Sequence, residues 1–149
     1  MSICLSMQSV AAEWISPSGK SGRLEPAEFC RSFVNGRAVR KAIWRISGLG
    51  VYEARVNGMV VSGFLEPGYT DVRFCRLEFA HDVTSALRLE AGAQNELSAT
   101  VSGSWWCDSI ISGYGKSSRK DGWDASTKRP AFRGELSLTY ADGGGDTSS

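Results

Sequence analysis

Five carboxylates, Glu53, Glu66, Asp71, Glu78 and Asp82, share the stretch between positions 53 and 82 with His81, the chain's single histidine. Cutting a glycosidic bond takes two carboxyl groups roughly 5–10 Å apart across that bond, one of them kept protonated by its surroundings. Glu53 and Glu78 hold polar positions of alternating runs, which puts them on a solvated face. Asp71 ends the turn Pro67-Gly68-Tyr69-Thr70-Asp71 and Asp82 precedes Val83-Thr84. Short acidic side chains at such places accept hydrogen bonds from nearby backbone N–H groups. His81 has neither a G-x-S-x-G elbow nor a reactive-cysteine signature to work with, and a surface or supporting position is expected for it. No catalytic residue is assigned.

The aromatic residues point to binding rather than bond breaking. Trp105, Trp106, Tyr114 and Trp123 gather in or beside the segment 107–130. Sugar recognition sets flat aromatic faces against pyranose rings, with a few polar groups fixing orientation. Trp105, Trp106 and Trp123 are therefore candidate carbohydrate-binding residues. In extended backbone Trp105 and Trp106 point to opposite sides, one inward and one outward. Tryptophan equally fills cores and domain interfaces. Lys116, Arg119, Lys120, Lys128 and Arg129 face Asp108, Asp121 and Asp124 in the same segment and are expected to solvate it. A connection this long is either functional or mobile in most compact domains.

The elements that must position these residues read as strands. Apolar and polar residues alternate with period two in Tyr52-Ala54-Val56, Cys75-Leu77-Phe79, Asn95-Leu97-Ala99-Val101 and Leu136-Leu138-Tyr140, as half-buried strands do. Glu28 to Val34 and Val39 to Ser47 add two more. Asn57-Gly58 between strand patterns predicts a type I′ hairpin, whose central residues both need positive φ. Gly48-x-Gly50 and Gly113-x-Gly115 lack the lysine and helix start of a phosphate loop and read as turns. Thr84 to Leu89 is the one short helical candidate, with Thr84 as its hydroxyl cap and Leu87 facing inward. Many short strands separated by turns make an all-β sandwich. Residues 1–13 are expected as a loose lead-in, 14–142 as the sandwich and 143–149 as a linker-like tail.

Bulk properties set bounds on partners. The chain has 149 residues, 42% apolar and 22% charged, which suits one soluble domain. Its net charge is +1, so no global field draws nucleic acid or an anionic membrane, and neither is an expected partner. Cys4, Cys30, Cys75 and Cys107 show no C-x-x-C spacing, which argues against a zinc site. Free thiols, buried or half-buried, are expected, with two disulfides as the alternative. The opening MSICLSMQSVAA has neither a basic leader nor a sustained apolar run, so a cytoplasmic location is favoured.

An ordered set of phrases resembles the amino-terminal β-sandwich domain of bacterial α-L-rhamnosidases. It runs through Trp14-Ile15, Phe29, Arg31 and Phe33, Ile46 to Gly50 with Tyr52, Asn57-Gly58, Pro67 to Asp71 and Asp82 to Thr84. Gly92, Asn95, Trp105-Trp106 and Tyr140 to Gly143 complete it. The resemblance implies a galactose-binding-like jelly roll, a non-catalytic accessory domain whose partner is the catalytic (α/α)6 barrel of a larger enzyme. Some family members use this sandwich as a calcium-dependent rhamnose-binding module with residues around the Asn-Gly turn, which by resemblance makes Asn57 a further candidate carbohydrate-binding residue and an L-rhamnose-containing glycan a second candidate partner. Here Val56 precedes Asn57 where an acidic ligand is expected, and Ser102-Gly103-Ser104 lacks the family's asparagine. Calcium, which wants six to eight oxygen ligands, is accordingly disfavoured and no cofactor is expected. Two alternatives keep the fold: an autonomous carbohydrate-binding module, and the sandwich domain of another glycosidase family such as the β-galactosidases.

Overall fold

A computed structural model describes residues 12–17, 25–69, 75–107 and 128–148. The predicted period-two runs become two four-stranded antiparallel sheets. In chain order the strands are β1 (Ala27–Val34), β2 (Val39–Leu49), β3 (Val51–Val56), β4 (Met59–Val60), β5 (Phe79–Asp82), β6 (Gln94–Ser102), β7 (Ala131–Tyr140) and β8 (Gly145–Ser148). One sheet has the order β1-β6-β3-β4 and the other β5-β2-β7-β8. This is the all-β jelly-roll sandwich expected from the sequence.

The alternation works as half-buried strands require. Tyr52, Ala54, Val56, Ala99 and Val101 turn inward from one sheet and meet Ala42, Trp44, Ile46, Leu136, Leu138 and Tyr140 from the other. Phe132 on β7 is the common contact. Its ring lies 6.0 Å from Phe29, 6.1 Å from Trp44 and 5.9 Å from Tyr52, joining aromatic residues of both sheets. Gly134 is small for a reason: a Cβ there would stand 2.8 Å from the Trp44 indole nitrogen.

The chain passes from one sheet to the other at Gly50, between β2 and β3. Its φ is +112°, and a Cβ would come within 2.1 Å of the Ser102 carbonyl oxygen, so only glycine fits. Gly48, expected in a turn, lies inside β2, where a Cβ would strike the Tyr52 ring at 2.6 Å. The Asn57-Gly58 hairpin forms as expected, with φ of 49° and 82° and Val56 paired with Met59.

Other expectations are corrected. Cys75 to Glu78 do not form strand; the strand begins at Phe79, and Cys75 and Leu77 are exposed, so the alternation there marks no buried face. The helical candidate shrinks to a 3-10 turn over Thr84–Ala86 without a side-chain cap, although Leu87 is buried as expected. Trp105 and Trp106 are not extended: Ser104–Cys107 forms a single helical turn, α1. Gly145 to Ser148, expected in a linker-like tail, pairs with β7 as β8. At the other end Ala12 is buried, Arg133 Nε donates to its carbonyl (2.9 Å), and Ile15 bridges to Phe132. Cys30 and Cys75 are free thiols, both exposed, and Cys107 is buried. Among the described residues no helix is long and apolar enough to cross a membrane. Asp71, Gly113, Tyr114, Gly115, Trp123 and most of 107–130 lie outside the described residues.

Candidate functional site

Asn57 is fastened into the protein. Its Nδ2 donates to the Ala86 carbonyl (2.9 Å) and to Asn95 Oδ1 (2.8 Å), while its Oδ1 accepts from the Glu96 N–H (3.0 Å). Asn95 is fully buried and continues the network. Its Oδ1 also accepts from the Arg88 N–H, and its Nδ2 donates to Asn35 Oδ1 and the Arg88 carbonyl. Three asparagines thus hold the β3–β4 turn, the start of β6 and the end of β1 together. The side-chain amide of Asn57 is occupied by this work.

Trp106 lies in α1, half-buried. Its indole N–H donates to the Arg129 carbonyl (2.7 Å), and Lys128 Nζ stands 5.2 Å from the ring centroid. Trp105 is placed in α1 by its backbone; Trp123 lies outside the described residues. Asn57 and Trp106 do not converge. The Asn57 N–H bonds the Glu96 carbonyl near the start of β6, whereas α1 follows the far end of that strand at Ser102. At about 3.3 Å per strand residue, that separation is on the order of 20 Å.

A second cluster went unread in the sequence. The loop after β4 turns Glu66 back under the sandwich edge, where its carboxylate is only 15% exposed. Oε2 accepts from the Tyr52 hydroxyl (3.0 Å) and Oε1 from the Gly63 N–H (2.9 Å). His81 on β5 brings Nε2 to 2.9 Å from Oε2, and this imidazole is 14% exposed, so of the surface or supporting position expected for it the supporting one is observed. That nitrogen is buried and makes no hydrogen bond, so the contact with Glu66 is one of proximity rather than a formed bond. Burial, reinforced by the Glu66 charge, pushes the Tyr52 phenol far up, which keeps it a donor. Only the spacing of three residues scattered over positions 52 to 81 could have revealed the cluster, and no local pattern encodes that.

Chemically this is a clamp. The partners of Glu66 are a phenol, an amide and an imidazole, not an opposing carboxyl. Glu53, Glu78 and Asp82 lie on the exterior. Glu53 pairs with Arg55, Glu78 with Arg133 at 3.4 Å, and Asp82 Oδ1 accepts from both the N–H (3.1 Å) and the hydroxyl (2.6 Å) of Thr84. The role expected of Asp82, accepting a backbone N–H, is the one observed. Among the described residues no three His, Cys, Asp or Glu side chains converge as a metal site. Between the sheets on the β1 side lies a cleft of about 270 Å³, walled by Phe29, Phe33, Trp44, Leu97, Phe132 and Leu136.

Comparison with known proteins fits this architecture. Residues 37–147 match the family model of the α-L-rhamnosidase N-terminal domain. No curated protein matches the chain. Several solved structures resemble it. The α-L-rhamnosidase of Aspergillus terreus superposes with a TM-score of 0.70 at 24% identity, over 93% of this chain and 15% of that one. That of Dictyoglumus thermophilum gives 0.63 at 23% identity, over 92% and 14%. The Streptomyces avermitilis α-L-rhamnosidase, solved in complex with L-rhamnose, gives 0.63 at 30% identity, over 81% and 11%. The chain therefore spans less than a sixth of each of these enzymes. With the motif order, the two-sheet fold and the family match in agreement, the chain belongs to the α-L-rhamnosidase N-terminal domain family.

Proposed function

We propose that this sandwich is the non-catalytic accessory domain of a larger α-L-rhamnosidase-like glycoside hydrolase and packs against that enzyme's (α/α)6 catalytic barrel. The observation that carries this is coverage: nearly all of the chain superposes on a small fraction of α-L-rhamnosidases. The carboxylate pattern agrees, since Glu66 is tied to Tyr52 and Gly63 and the other acids first considered and described here face outward. The purified chain is expected to release nothing from an aryl α-L-rhamnoside, whereas a polypeptide carrying it together with the barrel turns the substrate over. Dose-dependent release by the chain alone, persisting through repurification, would overturn the proposal.

A narrower part of the same proposal concerns the glycan. Contact with an L-rhamnose-containing glycan would fall to the Trp106 end of the sandwich, without calcium, because the Asn57 amide is spent on Ala86, Asn95 and Glu96. Titrating L-rhamnose while following tryptophan fluorescence tests this. A saturable change that EDTA leaves intact and Trp106→Ala abolishes supports it; an EDTA-sensitive one speaks against it.

A further inference from the structure

The β3–β4 hairpin and the loop behind it expose five large apolar side chains within eleven residues of chain. Phe64 is 94% exposed, Tyr69 75%, Met59 56%, Leu65 51% and Val60 45%. Between Met59 and Tyr69 the only acidic or basic side chain is Glu66, and it faces inward. This composition, aromatic and methionine-bearing with charge withdrawn, is that of the centre of a protein–protein interface.

The segment is also fixed in place. The Tyr52 N–H donates to the Glu66 carbonyl (2.7 Å), Val61 N–H to Ala54 (2.9 Å) and Gly68 N–H to Leu65 (3.0 Å). Ser62 Oγ accepts from the Ala54 N–H (3.0 Å) and the Glu66 carboxylate ties Gly63 to Tyr52. The clamp thus has a purpose: it holds the loop's backbone while the apolar side chains stand outward. A surface ordered before its partner arrives loses less entropy on docking.

We propose that this face, centred on Phe64 and Leu65, is where the catalytic portion of the larger enzyme docks on the domain. The inference rests on the accessory-domain reading and adds the surface to it. The occupant follows from proportion: with 11–15% of the related enzymes accounted for, the greater part of such a polypeptide lies beyond this domain and must meet it somewhere. A second copy is a poorer fit, because β4 has only two residues and offers little edge for strand pairing across copies. A sugar is poorer still, because the one carboxylate that could orient hydroxyls faces the interior.

Hydroxyl-radical footprinting of the 149-residue chain and of the polypeptide containing it with its catalytic portion tests the assignment. Oxidation of Met59, Phe64 and Tyr69 should fall about five-fold or more in the longer polypeptide as the face is desolvated, with Val34 on β1 labelled equally in both. Protection elsewhere but not at Phe64 overturns the surface while leaving the accessory reading standing. No protection anywhere overturns both. Protection that appears in the chain alone as its concentration rises makes a second copy the occupant, and protection by added L-rhamnose makes the face a sugar site; either result overturns the proposal. A Phe64→Ser/Leu65→Ser double variant should fold as the parent does, since both side chains stand outside the core, and should lose the protection at Met59 and Tyr69.

Discussion

Asn95 shows how much one polar side chain can organise. It sits at an inward position of an alternating strand, where a leucine would ordinarily go, and is 1% exposed. All four of its side-chain hydrogen bonds are made, to Asn57, Asn35 and both backbone groups of Arg88. Removing it strands several groups at once, and a buried donor or acceptor without a partner costs about 1–3 kcal/mol. Asn95→Ala should therefore lower unfolding stability by about 3 kcal/mol, read from the urea midpoint at unchanged slope. A loss below about 1 kcal/mol would mean that water replaces the amide without penalty. The same network pins the Asn-Gly turn from within: Asn57 occupies φ +49° with its amide bonded to Ala86, Asn95 and Glu96.

Elements carry the next level of instruction, and the Asp82-Val83-Thr84 phrase is an example. The β2–β5 ladder ends at Ile43 and Asp82. One residue further, the Val83 N–H donates to the Ala42 carbonyl (3.0 Å), and the Ala42 N–H donates to the Thr84 hydroxyl (3.0 Å), which in turn donates to Asp82. A hydroxyl thus extends the ladder by one rung, and Asp82 aims it. The hydroxyl of Thr84, then its backbone N–H, hold the Asp82 carboxyl below its ordinary value of 3.8, with Lys41 assisting. A folded-state pKa below the unfolded one gives stability that is present above the unfolded value and lost as pH falls through the folded one. The window therefore opens below about pH 4. Asp82→Asn keeps an acceptor but removes the charge, so the variant should trail the parent near neutrality and converge on it as the solution is acidified below that point. Parallel urea titrations from pH 7 to pH 2.5 check this; a gap that widens toward acid would refute the assignment. Legibility in the sequence follows the same division. Strands with one dry face announced themselves through alternation, as Tyr52-Ala54-Val56 and Leu136-Leu138-Tyr140 did. Asn57-Gly58 announced a turn because few residues accept positive φ. Other features were silent or misleading. β8 is Gly145-Asp146-Thr147-Ser148, without apolar alternation, and exists as a strand through its pairing with β7. Cys75 to Glu78 alternates yet is exposed, because period two records opportunity for burial and says nothing about whether a second layer is there. The Glu66 clamp was silent for another reason: its members come from β3, a loop and β5, and only the folded sandwich brings them within 3 Å.

At the scale of the whole molecule the two sheets share a single core, and Phe132 is where they are most closely joined. Its ring meets Phe29 and Tyr52 of one sheet and Trp44 of its own, with centroids about 6 Å apart in each case. Truncating a buried phenylalanine costs about 3–5 kcal/mol through lost transfer energy and the cavity left behind. A domain of this size is stable by about 5–15 kcal/mol in total, so Phe132→Ala consumes a large share of the margin. The cleft already present beside Phe29 and Phe132 limits how far neighbours can close the gap, which pushes the cost toward the upper end. Because neither sheet has an inner face without the other, the loss should not be local. In native-state hydrogen exchange the slowest amides of the β2–β7 ladder and of the β3–β6 ladder should open with the same free energy in the parent, and drop together in Phe132→Ala. Exchange that falls in the β2–β7 ladder while β3–β6 stays at the parental level would mean two independently stable layers. The sandwich would then no longer be the one rigid body that an enzyme could lean on.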